Sequence, residues 1–255
     1  HKSAEFCSTC HKVSLPFELN HYKEWLRGQN HYDNYHLSGV SGHGARSFYY
    51  PPKAVDNCNK CHMPLKDSED FGADFFAGKE KGLKIHDHLF PGANTGIAYI
   101  RNEPDIVKVH EEFLKGSVVV DIFGVKEGGS VDGKLIAPVR PSVPSLKPGS
   151  EYLLEVVVRT MKVGHLFSQG TADSNEIWID VALENDGKTI GRSGGLDEGK
   201  EVDPWSHFLN VYMLDKYGNR IDRRNAQDIF TPLYNNQMPP GTGQVVHYRF
   251  KVPED

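Results

Sequence analysis

Two short stretches of the sequence place a pair of cysteines and a histidine at the same spacing. Each stretch reads Cys-x-x-Cys-His, and the six residues are Cys7, Cys10, His11, Cys58, Cys61 and His62. The chain has 255 residues and no other cysteine. Thiols and imidazoles at such spacing can bind zinc, exchange electrons as a dithiol, form disulfides or hold haem covalently.

Covalent haem attachment is the chemistry that explains every element of the repeat. Zinc sites with two cysteine pairs usually separate them by roughly 15–20 residues, whereas forty-seven lie between Cys10 and Cys58. A redox dithiol needs one pair, and disulfides need no histidine at a fixed offset. In haem attachment the two thiols add to the porphyrin vinyl groups, and the next imidazole binds the iron. The sequence therefore predicts two c-type haems per chain, with the cysteines as attachment residues and His11 and His62 as proximal iron ligands.

Composition excludes several other classes of partner. The net charge is −5 and the pI is about 6.2, so no basic surface indicates nucleic acid. No apolar run approaches the roughly 18 residues that a membrane-spanning helix needs. We therefore expect no nucleic-acid partner and no membrane-spanning segment.

The histidines divide the chain into two parts. Nine of the thirteen, and every cysteine, lie in residues 1–103. A porphyrin offers a large apolar surface against which side chains can pack, so a haem-binding region needs little core of its own. We predict a dihaem c-type cytochrome region at 1–103 and a β-sandwich domain with a leading helix at 104–255.

Periodicity predicts helices early in the chain and strands later. Helices are expected at Phe17–Leu26 and Asp105–Lys115, with a glycine-rich loop at 39–52. Alternation predicts strands at 117–123, 151–161, 176–184, 207–215 and 244–252. Turns are expected at 185–187 and 216–219, and a proline-rich crossing loop or edge at 129–149. The predicted fold class is α+β: a loop-rich, partly helical dihaem region followed by an antiparallel β-sandwich.

Several histidines are candidates for the sixth, or distal, ligand of each iron. The distal candidates, in order of preference, are His88, His165, His31 and His43. Three of them stand beside or near glycines, which let the backbone approach a haem closely, and His31 follows the first predicted helix. His36, His86 and His21 are less favoured, because no glycine or helix places them. His110 lies on the apolar face of its helix and is expected to be packed or hydrogen-bonded rather than a ligand.

The order of CxxCH, "YKEWLRGQNH" and CxxCH resembles that of the bis-histidine multihaem c-type cytochromes. "HDHLFPGANTG" and "VGHLFSQGTADSNEIWIDV" are similar to segments of multihaem proteins that end in a β-sandwich. The resemblance implies that His31, His88 and His165 bind iron and that the protein is periplasmic or extracellular. Such proteins often carry four or more haems, so here three implied ligands compete for two positions.

These observations favour an electron carrier over an enzyme. Two irons that each bind two imidazoles have no position for a substrate, and redox proteins are the expected partners. One alternative is a haem enzyme of the peroxidase or nitrogen-oxide type with one open iron site. Another is a β-sandwich domain that docks a partner, with the haems passing electrons to that partner. An oligomer or a larger multihaem assembly is also open.

Overall fold

The computed structural model describes residues 3–19, 29–223 and 225–254. The predicted helix at Phe17–Leu26 lies mostly outside these ranges, and its described residues 17–19 form a turn. The chain divides into two compact units, one of His1–Val13 with Asn30–Ser117 and the other of Ser14–Gln29 with Val118–Asp255. That the C-terminal part folds as a separate domain stays a prediction.

The described residues before Val118 form short helices and short strands, joined by turns and loops. The helices are α1 (Ala4–His11), α2 (His31–His36), α3 (Asn59–His62), α4 (Thr95–Ile100) and α5 (Pro104–Leu114), with a 3-10 turn at Lys79–Lys81. The strands are β1 (Lys12–Val13), β2 (Gln29–Asn30), β3 (Leu65–Asp67) and β4 (Lys84–His86). Strands β3 and β4 pair antiparallel. Residues 39–52 contain neither helix nor strand, as their glycine content predicts.

Local sequence explains where the helices begin. The predicted helix at Asp105–Lys115 is confirmed as α5, which starts at Pro104, where the fixed φ of proline suits the first position. Helix α2 is capped by Asn30, whose side chain accepts a hydrogen bond from the Asp33 amide at 3.1 Å. Helix α5 has 11 residues, and no helix in the described ranges is long and apolar enough to cross a membrane.

Antiparallel strands dominate the second unit. They are β5 (Val118–Glu127), β6 (Leu135–Ile136), β7 (Glu151–Thr160), β8 (Trp178–Ile179), β9 (Val181–Asn185), β10 (Lys188–Ser193), β11 (His207–Phe208), β12 (Val211–Leu214), β13 (Arg220–Ile221), β14 (Thr231–Asn235) and β15 (Gly243–Lys251). The largest sheet has the order β15-β7-β5-β6. Smaller sheets pair β8 with β11, β9 with β10, and β12 with both β13 and β14. The α+β class is confirmed, and stacking of the sheets as a β-sandwich remains a prediction.

Apolar residues at alternate positions of β7 form much of the core of this unit. Val156 and Val158 are 2% and 0% exposed, and both belong to a cluster with Val246 of β15 and Ile179 of β8. Because successive strand residues point to opposite faces, one face of β7 is almost wholly apolar.

Most of the predicted strands form in full, and two are interrupted. The segments at 117–123, 151–161 and 244–252 are confirmed as β5, β7 and β15. The segments at 176–184 and 207–215 each split into two short strands, at Asp180 and at the buried Asn210. The turn after Asn185 joins β9 to β10, with positive φ at Asp186 and Gly187, as a tight hairpin requires.

The opposite face of β7 carries a buried carboxylate. Glu155 is 7% exposed and lies 3.1 Å from Lys126 Nζ and 3.1 Å from His247 Nε2. Burial by itself raises the pKa of Glu155, but the hydrogen bonds and charges of Lys126 and His247 outweigh it and hold the pKa below its ordinary value. The ionised carboxylate therefore ties β7 to both neighbouring strands.

Glu155→Gln is expected to lower the free energy of unfolding by about 1.5–3 kcal/mol at pH 7, because it removes a charged hydrogen-bond acceptor. A depressed pKa gives stability that is present above the unfolded value, near 4.3, and is lost as the pH falls through the folded value. The difference between Glu155→Gln and the unchanged chain should therefore shrink below about pH 4.3. Urea unfolding, monitored by tryptophan fluorescence at several pH values, measures this difference in the free energy of unfolding.

Glu151→Gln is the matched control, since Glu151 lies on the same strand but is exposed. It should change stability by less than about 0.5 kcal/mol. Equal stability of Glu155→Gln and the unchanged chain at pH 7 would contradict the role of this ion pair.

Candidate functional site

Helices present the two thiols of each motif on one side. Cys7 and Cys10 lie one turn apart on α1, and His11 ends that helix. Cys58 occupies the cap position of α3 with helical dihedral angles, and α3 ends at His62. Residues three apart on a helix share a face, so each pair can meet one planar group. None of these four cysteines forms a disulfide in the structure.

The two motifs meet at Cys7 and Cys58. Both thiols are half-buried, and Cys7 lies near enough to Cys58 to influence its titration, although fifty positions separate them in the sequence. Cys58 also packs against the small cluster of Ala4, Tyr35 and Val40. Burial, followed by the proximity of Cys7, raises the pKa of the Cys58 thiol to about 12. The structure thus brings together two motifs whose contact no local pattern predicts.

Two tyrosines of α2 hold this arrangement. Tyr35 donates a hydrogen bond of 2.5 Å to the carbonyl of Val55, just before the second motif. Tyr32 donates one of 3.2 Å to Glu5 on α1. Burial raises the pKa of Tyr35, so its hydroxyl remains a donor. Helix α2 is therefore the scaffold that connects the motif segments.

His62 has the hydrogen bond expected of an iron ligand. Its Nδ1 lies 2.8 Å from the carbonyl oxygen of the buried Pro91. A carbonyl can only accept, so Nδ1 carries the proton and Nε2 keeps a lone pair. Metal-binding imidazoles commonly make this contact, which fixes both the ring and the tautomer.

His11 and His31 lie against each other. Their Nδ1 atoms are 3.3 Å apart, and the rings meet edge to face with centroids 5.1 Å apart. His31 is the first residue of α2, where the Asn30 cap fixes the backbone. His31 is therefore a distal candidate that the structure places beside a motif histidine.

The three other distal candidates have different surroundings. His43 is exposed and stacks on His36, with ring centroids 4.7 Å apart. His88 is exposed, and its ring meets the edge of Phe90 at 6.0 Å. His165 belongs to the second unit, where its Nδ1 lies 3.2 Å from the Leu166 carbonyl oxygen.

His86 has a contact that the sequence did not reveal. Its Nδ1 lies 2.8 Å from the carbonyl oxygen of Met63, the residue after His62, so it has the same ring tautomer as His62. The pairing of β3 with β4 sets Leu65 opposite His86 and so creates the contact. The only signal in the sequence is the strand-like alternation around "KIHDH".

His110 is buried and hydrogen-bonded, as predicted. Its Nδ1 accepts a hydrogen bond of 3.0 Å from the Gly92 amide. In the neutral ring the proton is then on Nε2, where a metal ligand would need a lone pair.

The residues of the first unit fit a haem. Its buried apolar residues in the described ranges are few: Ala4, Tyr35, Val40, Met63 and Ala98. Its exposed large apolar side chains are many and include Phe48, Phe71, Phe75, Phe76, Phe90 and Tyr99. A large flat apolar group suits such a surface, and thiol pairs with an adjacent imidazole supply its attachment. No three His, Cys, Asp or Glu side chains within 3–19, 29–223 and 225–254 converge to hold a bare metal ion.

Comparison of structures shows that the chain shares its fold with part of a multihaem c-type cytochrome. The structure is the penta-haem cytochrome c552 from Thermochromatium tepidum, with a TM-score of 0.54 and 15% sequence identity. The match covers 99% of this chain and 45% of that chain, so the present chain spans less than half of its length. No protein-family model matches the sequence, and no curated protein matches it significantly.

Proposed function

We propose that this protein is an electron carrier with two covalently bound c-type haems. The observation that carries the proposal is that both CxxCH motifs are complete and helical, with the two cysteines of each motif one turn apart and the motif histidine at the end of the helix. The fold shared with part of a penta-haem cytochrome supports the same class of protein. Haem supplies an iron that takes up and releases one electron.

The chain's own residues attach and orient the two groups. Each motif contributes two thiols for covalent attachment and one imidazole for the iron. The hydrogen bond from His62 Nδ1 to the Pro91 carbonyl leaves Nε2 with a lone pair that can bind the iron. The exposed phenylalanines of the first unit provide apolar contact and exclude water.

For the distal positions we propose His31 with the first motif and His88 with the second. The contact of His31 with His11 supports the first assignment. His88 stands just beyond β4, which pairs with the strand following the second motif. His165 and His43 remain the alternatives. Two imidazoles on each iron leave no position for a substrate, which favours a carrier over an enzyme.

Redox proteins are the proposed partners, and the proposed location is periplasmic or extracellular. Covalent haem attachment takes place outside the cytoplasm in the cytochromes that the chain resembles. A larger multihaem assembly is compatible with the match to less than half of a penta-haem chain.

A haem count and carbon monoxide binding test this proposal together. Denatured protein should keep its colour, and a pyridine haemochrome assay should return two c-type haems per chain. The ferrous protein should bind carbon monoxide poorly, because both irons already have six ligands. A count of one or none contradicts the two-haem proposal, and ready binding of carbon monoxide contradicts the carrier in favour of a haem enzyme.

A further inference from the structure

We propose that one face of the largest sheet binds a small carboxylate anion with an apolar body, in a concavity lined by β5, β7 and β15. The site lies within the second unit and involves neither the CxxCH motifs nor electron transfer, so the inference goes beyond the proposed function.

The concavity has a volume of about 550 Å³ and opens on the face of β7 that carries Glu155. Glu155, Val157 and Arg159 alternate along β7 and therefore point to the same side. The pairing with β15 sets His247 opposite Glu155 and Val245 opposite Val157, and both of these residues also line the concavity. Small-molecule sites usually enclose about 300–1,000 Å³, so the space suits a compact ligand.

Apolar side chains form the floor of the concavity. Val157 is half-buried, and Val245 beside it is exposed. Phe123 of β5 joins them, because the pairing of β5 with β7 shifts between Ile122 and Gly124 and leaves one extra residue at this point. Three neighbouring apolar side chains can pack against the body of a ligand and release water from both surfaces.

The charges around the concavity leave one cation in excess. Lys126 lies 3.1 Å from Glu155, and Arg140 lies 3.1 Å from Asp121, so each carboxylate already has a basic partner. Arg159 also lines the concavity, and it forms no ion pair with any residue in 3–19, 29–223 or 225–254. The site therefore complements an anion rather than a cation.

The position of Arg159 suits it to bind a carboxylate. Gly243 lies opposite Arg159, and a Cβ atom at Gly243 would come within 2.9 Å of Arg159 Cγ. The aliphatic stem of Arg159 thus lies across a position where only glycine leaves room. Its guanidinium belongs to an exposed residue, and the planar group can donate two parallel hydrogen bonds to the two oxygens of one carboxylate.

Calorimetric titration of the full-length protein with benzoate tests the proposal. Benzoate has a carboxylate on a flat apolar ring, benzamide keeps the ring without the charge, and acetate keeps the charge without the ring. We expect saturable binding of benzoate and about tenfold weaker binding of each of the other two, because each lacks one of the two interactions. This comparison needs no variant of the protein.

Three variants locate the site. Arg159→Gln should weaken benzoate binding about tenfold or more, because it removes a charge-assisted hydrogen bond. Val245→Thr should weaken it several-fold, since a hydroxyl replaces a methyl group while the side chain stays β-branched, as suits a strand. Arg249→Gln is the matched control, because Arg249 is exposed on the same face of β15 but lies outside the concavity. It should bind benzoate as the unchanged protein does.

Several results would overturn the inference. One is the absence of saturable benzoate binding by the unchanged protein, and another is binding of benzamide as tight as that of benzoate. An equal loss of binding in Arg159→Gln and Arg249→Gln would also overturn it, since that result indicates general attraction by surface charge. Far-UV circular dichroism of each variant should match that of the unchanged protein, because the replaced residues are exposed.

Discussion

Replacing both cysteines of the second motif, Cys58→Ala with Cys61→Ala, is expected to leave one covalent haem per chain. Without the two thiols no thioether links can form, so the haem at this motif is lost on denaturation. The first unit should also melt at a lower temperature, since few of its described apolar residues are buried and Cys58 packs against them. Pyridine haemochrome counts and thermal unfolding followed by circular dichroism measure the two effects.

Lys60→Ala is the matched control within the same motif. The Lys60 side chain is exposed and contacts Asp56 at 2.6 Å, so its removal should leave two haems and little change in melting. Two haems in the double cysteine variant, or zinc in place of iron in the unchanged protein, would rule out the proposed attachment.

His31→Ala is expected to convert one haem from low-spin to high-spin and to open it to carbon monoxide. The physical reason is that the His31 ring lies beside a motif imidazole, with its Nδ1 3.3 Å from His11 Nδ1. The other haem should keep its spectrum, because it takes its ligand from a different segment. Optical and electron paramagnetic resonance spectra of the ferric and ferrous protein report the change.

His88→Ala should produce the same change in the other haem, and the double variant should affect both. His207→Ala is the control, since this ring bonds Gln244 within the second unit at 2.8 Å. If His31→Ala and His88→Ala both keep the unchanged spectra, the distal assignment is wrong, and His165 and His43 become the residues to replace.

The sequence predicts those features that depend on neighbours along the chain. The boundaries of α5 follow from Pro104 and the spacing of apolar residues, and β15 follows from the strict alternation of apolar and polar residues between Val246 and Val252. The CxxCH motifs are equally local, because six residues within two short stretches define them. Each of these signals is contained in about ten residues or fewer.

Contacts between distant segments could not be predicted in the same way. The packing of Cys58 with Ala4 of α1 and Tyr35 of α2 joins segments that no periodicity connects. The contact of His86 with Met63 depends on the register of β3 with β4, which a one-residue shift would destroy. The contact of His31 with His11 likewise joins distant segments, and the glycines beside His88 and His165 carry no information about it.

The order of the largest sheet has a consequence for the time course of folding. Strand β7 lies between β5, which precedes it closely, and β15, where Gly243 is opposite Arg159 and Lys251 is opposite Glu151. These pairs join residues roughly a hundred positions apart, and such contacts form slowly because a long loop must close first. We therefore expect the pairing of β15 with β7 to be a slow step of folding, during which one edge of β7 stays unpaired and open to association with another chain.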